Sequence, residues 1–361
     1  MGLLSTLITN NTVVNWNKVE ELSEFQRLND GGYHSEWHQE GSSMKHTQMV
    51  VKACQDYIEQ HPDEFTDDEK FILIAASLFH DIGKGITNTL KEDGNWSAPY
   101  HAVEGERLTR FLLWDESIQL REMICSLVKY HMKPKYFRFK RDKIEEMIRE
   151  INVNSDCRLL YYINLFDVTG AISNEKEEEI KHCETIKEYA SNLGLWNRTT
   201  EHDSMNITEP GFNVVMLCGV AGGGKTTRYE KIYQPLGYEI VSRDIIRHEL
   251  GMVDKNGKFK GNKAQEDKVT EIEHKRIIEL CEQGKNFVSD NLFIRKKYRE
   301  EFIKMVSKYN PHVTIEYNQT SKQNHIDRRN GQIDSNVILK MMCEMDFPSY
   351  TEANIVCYNV N

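Results

Sequence analysis

Paired cysteines, proline, long apolar runs and an excess of positive charge are all missing or scarce in this sequence. Its eight cysteines (Cys54, Cys125, Cys157, Cys183, Cys218, Cys281, Cys343 and Cys357) include no C-x-x-C pair. That spacing excludes a disulfide framework and a cysteine-built structural zinc site, and the thiols are expected reduced, mostly packed in cores. Proline occupies only 7 of 361 positions, and with 39% hydrophobic and 28% charged residues the chain can bury real cores rather than stay disordered. No run approaches the roughly 20 apolar residues that span a bilayer. The opening MGLLSTLITNNTVVNWN has no basic segment leading into an apolar one, and Gly2 with Thr6 matches a myristoylation signal only weakly. The expectation is a cytoplasmic protein without a membrane partner. Lys and Arg number 46 against 56 Asp and Glu, a net charge of −10. This balance argues against a surface that grips nucleic acid over its whole extent, while a local basic groove stays open.

At roughly 100–200 residues per domain, the length points to two domains. From about residue 19 to residue 195 apolar positions recur at three and four spacing, as in 70–78, 102–113, 117–130 and 159–166, with no strand-like alternation, so this part reads as all-α. The acidic stretch EKEEEIKHCE, from Glu175, reads as a solvated helix face. Residues 197–211 are polar and end in Pro210-Gly211, the composition of a linker. Beyond it short β-rich runs (NVVMLCG, YEIVS, NFVSD, HVTIEY) alternate with helical segments, which predicts a parallel sheet with helices on both faces. The expected domains are 1–205 and 211–361.

In the second half, Gly219-Val220-Ala221-Gly222-Gly223-Gly224-Lys225-Thr226 fits G-x-x-x-x-G-K-[ST] and follows directly on the apolar run 214–218, the strand that this motif requires. Gly219, Gly222, Gly223 and Gly224 let backbone N–H groups converge on phosphate oxygens. Lys225 reaches the β- and γ-phosphates, and Thr226, followed by Thr227, faces Mg²⁺. The next strand run leads into Ser242-Arg243-Asp244-Ile245-Ile246-Arg247. Strand ends line the ligand crevice of such sheets, so Asp244 reads either as the acceptor of a hydroxyl proton or as the N-cap of the next helix. Arg247, one turn on, can face the same side and hold a phosphate. Asp290 ends the run NFVSD, a place for an acidic residue near Mg²⁺ or the phosphate loop.

The loop, the R-D-x-x-R element and NFVSDNLFIRKKYRE together resemble the polynucleotide 5′-hydroxyl kinase family over most of 211–361. The resemblance implies a P-loop fold that uses ATP or another NTP with Mg²⁺ to phosphorylate the 5′-OH end of RNA or DNA. Lys225 and Thr226 would be the ATP and metal residues, Asp244 the general base, and Arg247 a contact to the acceptor's terminal phosphodiester. Arg328, Arg329 or both, in HIDRRNGQID, would supply an arginine-bearing lid.

In the first half, His80-Asp81 ends the apolar run FILIAASLFH and precedes Ile82-Gly83-Lys84. His46, His101, His131 and Asp167 also lie at helix edges or within apolar helices. A buried imidazole or carboxylate without a partner costs free energy, and metal binding removes that cost. Taken singly each reads as a core or surface residue; jointly they read as a metal site drawn from several helices of a bundle. Imidazole and carboxylate donors without cysteine suit Mn, Fe, Co, Ni or Zn. This H…HD…D pattern resembles the HD superfamily of metal-dependent phosphohydrolases. The resemblance implies His46, His80, Asp81 and Asp167 as ligands of one metal, with His101 and His131 holding a second metal or the substrate phosphate, and Lys84 holding a phosphate oxygen. His38-Gln39-Glu40-Gly41 looks like the entry segment of that superfamily, and Ala171 stands where many of its members carry arginine.

Between His131 and Ile144, Lys133, Lys135, Arg138, Lys140, Arg141 and Lys143 are interleaved with Tyr136, Phe137 and Phe139. Such a run either guides single-stranded nucleic acid toward the His/Asp site or forms a solvated loop with its aromatics in the core. As a whole the chain resembles the fused HD and polynucleotide kinase end-healing enzymes. That implies RNA or DNA end repair: 5′-OH phosphorylation plus removal of a 2′,3′-cyclic phosphate or a 2′- or 3′-phosphate, with sealing by a separate ligase. Two alternatives remain at this point. One is a nucleotide-metabolism enzyme pairing a nucleotide-hydrolysing HD domain with a small-molecule kinase; the other is a nucleotide-gated signalling protein.

Overall fold

The computed structural model describes residues 2–29, 41–92, 94–174, 176–197, 211–255 and 257–359. It divides into two compact units, Met1–His202 and Asp203–Asn361. The entry segment at His38, Gln39 and Glu40, most of the linker, and the side chains of Arg138 and Phe139 fall outside what is described.

The N-terminal unit is a helical bundle of α1 (Ser43–Gln60), α2 (Asp67–Phe79), α3 (His101–Leu112), α4 (Ile118–Tyr130), α5 (Ile144–Asn154), α6 (Cys157–Gly170) and α7 (Lys176–Asn192). Polar residues placed just before the helices start several of them: Ser42, Thr66, Ser117 and Asp156 accept backbone N–H groups of the first turns of α1, α2, α4 and α6. At α2 Thr66 and Glu69 form a reciprocal capping box. Apolar residues at helical spacing, among them Val50, Leu73, Phe79, Leu127, Leu160 and Phe166, meet in one core. Two antiparallel ladders, Ile8–Thr9 with Val13–Val14 and Thr89–Leu90 with Trp96–Ser97, add to the helices. Two-residue strands are too short to show the alternation by which strands are read from a sequence. The interleaved basic run begins with a 3₁₀ turn at Pro134–Phe139, which sinks Phe137 into the core and leaves Tyr136 half exposed.

The C-terminal unit is built on five parallel strands, β1 (Asn213–Cys218), β2 (Glu239–Ser242), β3 (Phe287–Asp290), β4 (His312–Gln319) and β5 (Asn354–Asn359), in the order β2-β3-β1-β4-β5. Val214 to Cys218 are all buried, as expected of a central parallel strand covered on both faces. Helices α8 (Arg243–Glu249), α9 (Lys263–Glu282), α10 (Lys296–Ser307) and α11 (Ser335–Cys343) connect and cover the sheet. Strand register pairs Leu217 with Asp290 and Ser242 with Asp290, so the carboxyl ends of β1, β2 and β3 finish at one level. No helix among the described residues is long and apolar enough to cross a membrane.

Candidate active sites

The helix ends of the N-terminal unit converge on one buried polar centre. His46 comes from α1, His80 caps α2 with Asp81 and Lys84 in the turn beyond, His101 opens α3, His131 caps α4, and Asp167 lies on α6. All seven side chains are buried. A side chain at Gly83 would place its Cβ 2.0 Å from the His101 carbonyl, so only glycine lets the Asp81 turn lie against the start of α3.

The donor atoms form two groups, His46/His80/Asp81 and Asp81/His101/His131, which share Asp81. Asp81 Oδ2 lies 3.8 Å from His46 Nε2 and 3.4 Å from His80 Nε2, while Oδ1 lies 3.5 Å from His101 Nε2 and 3.7 Å from His131 Nε2. Asp167 Oδ1 closes the first group, 2.9 Å from His46 Nε2 and 3.7 Å from His80 Nε2.

Hydrogen bonding sets the imidazoles. His80, His101 and His131 donate Nδ1–H to the carbonyls of Ser77 (2.8 Å), Ala98 (2.8 Å) and Val128 (2.6 Å). A carbonyl only accepts, so each proton sits on Nδ1 and each Nε2 is the nitrogen turned to the centre. Burial pushes the pKa of His101 down to about 3, which keeps this ring neutral with a lone pair on Nε2. That lone pair faces Asp81 and lies 3.3 Å from His131 Nε2, while His80 Nε2 is buried with no hydrogen-bond partner. Lone pairs and carboxylates aimed at one another repel unless a cation lies between them, so these residues fit one or two divalent transition metals.

Two ammonium groups border the carboxylates. Lys84 Nζ is 2.5 Å from Asp81 Oδ2 and Lys135 Nζ is 3.6 Å from Asp167 Oδ2. Burial raises both carboxyl pKa values, yet Lys84 with His80, and Lys135 with His46, outweigh it and hold Asp81 and Asp167 well below the ordinary range. Lys135 is the residue that sequence reasoning misplaced within the centre: the run of basic residues pointed to an outward guide, whereas the 3₁₀ turn directs this ammonium inward. Ala171, just past α6, brings no cation to the centre.

In the C-terminal unit the glycine-rich loop borders a cleft of about 450 Å³, lined by residues 221–227, Arg243, Asp244, Arg247, Asp290, Arg328 and Arg329 among others. Gly222 has φ +82° and a Cβ there would lie 2.7 Å from the His325 carbonyl, so both conformation and space demand glycine. His325 holds the loop by donating Nδ1–H to the Ala221 carbonyl at 2.8 Å, a support the sequence did not announce. Lys225 Nζ donates to the carbonyls of Gly219 (2.9 Å) and Val220 (3.2 Å), and burial lowers its pKa. Thr226 Oγ1 donates to Asp290 Oδ2 at 3.0 Å; burial raises the pKa of Asp290, against the pull of Lys225. This hydroxyl and carboxylate are oxygen donors of the kind Mg²⁺ takes.

The N-cap position of α8 belongs to Ser242, which leaves Asp244 in the first turn and rules out the N-cap reading. Its side chain is 67% exposed in the cleft. Oδ1 accepts from Arg247 Nη1 at 2.8 Å, and Oδ2 lies 3.9 Å from Arg329. Glu266 grips Arg247 at both Nε (2.8 Å) and Nη2 (2.9 Å), and these bonds draw the Glu266 carboxyl down to about 2. Arg243, which sequence reasoning passed over although it belongs to the same R-D-x-x-R element, donates to Glu266 (2.8 Å) and Glu273 (2.6 Å). Arg328 Nη1 donates to the Gly222 carbonyl at 3.3 Å, so both candidate lid arginines border the cleft, one on the loop and one facing Asp244.

Residues 44–193 match the family model described as HD domain, and residues 214–348 match one described as AAA domain. No curated protein matches the chain. Among solved structures, one described as a "putative kinase" from Chloroflexus aurantiacus J-10-fl is 12% identical, with a TM-score of 0.35, covering 42% of this chain and 86% of that one. The chain joins an HD domain, a hydrolase fold with a His/Asp cluster suited to divalent metals, to a P-loop kinase-like domain suited to NTP and Mg²⁺.

Proposed function

We propose that this protein repairs nucleic acid ends, RNA foremost, with an NTP-dependent 5′-hydroxyl kinase and a metal-dependent phosphohydrolase that removes a 2′,3′-cyclic phosphate or a 2′- or 3′-phosphate. The observation that carries the reading is the setting of Asp244, open to the nucleotide cleft and approached by both Arg247 and Arg329. A hydroxyl that reaches this carboxylate brings its neighbouring groups into cationic surroundings. That favours an acceptor with phosphates beside the hydroxyl, a polynucleotide end, over a neutral nucleoside.

In the kinase cleft, Lys225 exchanges the loop carbonyls for β- and γ-phosphate oxygens. Thr226 and Asp290 would hold Mg²⁺, which when bound offsets phosphate charge. Asp244 accepts the proton of the attacking hydroxyl as its oxygen bonds to the γ-phosphorus and the bond to the β-phosphate oxygen breaks, releasing the nucleoside diphosphate. Arg247, fixed by Glu266, orients the acceptor.

In the His/Asp centre, His46, His80, Asp81 and Asp167 would hold one metal, and Asp81, His101 and His131 a second. When bound, such ions polarise the phosphoryl group and lower the pKa of water. The Nδ1 bonds keep the imidazoles aimed, and Lys84 takes a phosphoryl oxygen. The two activities leave a 5′-phosphate and free 2′- and 3′-hydroxyls, the ends a separate ligase joins.

The test offers a 5′-OH oligonucleotide and a free nucleoside together with γ-labelled ATP, alongside oligomers ending in 2′,3′-cyclic phosphate or 3′-phosphate. Label on the oligomer and release of terminal phosphate are expected. Label on the nucleoside alone would replace this reading by nucleotide metabolism, and nucleotide-dependent hydrolysis without any labelled acceptor by a nucleotide-gated switch.

A further inference from the structure

We propose that Lys135 binds a non-bridging oxygen of the substrate's phosphoryl group at the His/Asp centre, where with Lys84 it forms a two-ammonium phosphate subsite. This rests on the reading that the centre hydrolyses phosphate esters, and names the residues that recognise the group being hydrolysed.

The placement comes from the 3₁₀ turn Pro134–Phe139. Phe137 is 2% exposed and anchors the turn in the core, Tyr136 is 50% exposed, and Lys133 turns to the surface, where it bonds Glu150 at 2.9 Å. Lys135 alone of this trio of neighbours reaches the centre. Its Nζ stands 3.6 Å from Asp167 Oδ2, an ion pair outside hydrogen-bond range, and its side chain keeps 30% of its exposure. An ammonium held at that distance, still in contact with solvent, has N–H donors to give to a ligand arriving from outside.

Charge balance says which ligand. Asp81 and Asp167 are countered in this structure by Lys84 and Lys135, with Glu179 adding a more distant negative charge near Lys135. Divalent metals on the histidines and carboxylates would take up the aspartate charge and leave both ammonium groups in surplus. A largely buried cation without a counter-charge is costly, so the loaded centre demands an anion that reaches the metals and both lysines at once. A phosphoryl group has that charge, and its several oxygens can meet different donors simultaneously. The two lysines border different carboxylates, Lys84 on Asp81 and Lys135 on Asp167, and so approach such a group from separate directions.

Inorganic phosphate is the probe. Full-length chain is loaded with Mn²⁺ in a Lys225→Ala background, so that phosphate on the P-loop does not contribute, and phosphate binding is measured by calorimetry together with metal content. Lys135→Met is expected to weaken phosphate binding about 10–100-fold, the worth of a hydrogen bond to a charged group, with metal content unchanged. Lys135→Arg should recover most of the affinity, and in ester hydrolysis the Met variant should raise KM more than it lowers kcat. Unchanged phosphate affinity in Lys135→Met overturns the proposal. So does loss of metal in step with phosphate, which would make Lys135 a support of Asp167 only. If Lys135→Met does not fold, Lys135→Gln and Lys135→Arg are compared in the same way. A wild-type centre that binds phosphate through Lys135 yet hydrolyses no phosphate ester would refute the hydrolase reading and leave this proposal standing.

Discussion

Asp81→Asn perturbs the His/Asp centre at the one residue both ligand groups share, and its consequences differ with and without metal. The carboxylate is 1% exposed and pairs with Lys84, itself 6% exposed, at 2.5 Å. Asparagine keeps the shape and removes the charge, so in the metal-free protein the buried Lys84 ammonium loses its carboxylate. Removing one member of a buried ion pair costs about 3–5 kcal/mol. For a unit of roughly 200 residues, where 1 kcal/mol moves the melting temperature by about 2–4 °C, the HD unit should melt about 6–20 °C lower. Thermal unfolding in chelator, followed by near-ultraviolet circular dichroism, reads this directly. Asp81→Asn/Lys84→Met removes both charges and should recover most of the lost stability, since replacing both partners is nearly neutral. Neither variant should recover metal, because Oδ2 serves the His46/His80 group and Oδ1 the His101/His131 group. Phosphoryl transfer in the other unit serves as the control and should persist. A metal-free Asp81→Asn protein that melts with the wild type, or one that keeps full metal content, would refute the shared-carboxylate account.

Lys225→Ala should abolish 5′-phosphorylation while phosphate release at the His/Asp centre survives; a folded variant that still labels 5′-OH ends at near wild-type rate overturns the cradle assignment. Asp244→Asn should lower the kinase rate roughly 10²–10⁴-fold with nucleotide binding kept, whereas an equal loss of ATP affinity would mark Asp244 as a binding residue. His101 titrates at about 3 when folded, against about 6.5 unfolded. Above pH 6.5 both states are neutral; below it only the unfolded chain takes the proton, so the metal-free protein should lose about 2 kcal/mol between pH 6.5 and 5, at 1.36 kcal/mol per unit. Urea unfolding at the two pH values checks this, and a flat profile refutes it. Lys140 and Arg141 are exposed beside the inward-facing turn; changing both to Glu should weaken hydrolysis of phosphate-ended oligomers more at low salt than at high salt, with a small phosphodiester unaffected. Equal loss on both substrates would end the guide reading.

The sequence by itself determined what depends on contiguous residues. The phosphate loop lies within eight consecutive positions after an apolar strand, and its glycines, lysine and threonine carry their chemistry wherever the loop goes. The helical bundle and the alternating strands were legible for the same reason, as local periodicity. So were the residue types of the metal centre, because buried histidines and aspartates are conspicuous in apolar helices. Tertiary structure alone decided how those residues pair. That Asp81 faces two groups, that Asp167 closes one of them, and that three imidazoles are aimed by carbonyls three residues earlier follow from how α1, α2, α3, α4 and α6 pack. β5 and the two-residue ladders escaped the sequence because such strands owe their existence to a neighbour's hydrogen bonds rather than to a pattern of their own. Lys135 shows the division most plainly. In the sequence it is one cation in a basic run; in the fold, a turn pinned by buried Phe137 swings it onto Asp167, because side-chain direction in a short 3₁₀ turn is set by what the turn packs against.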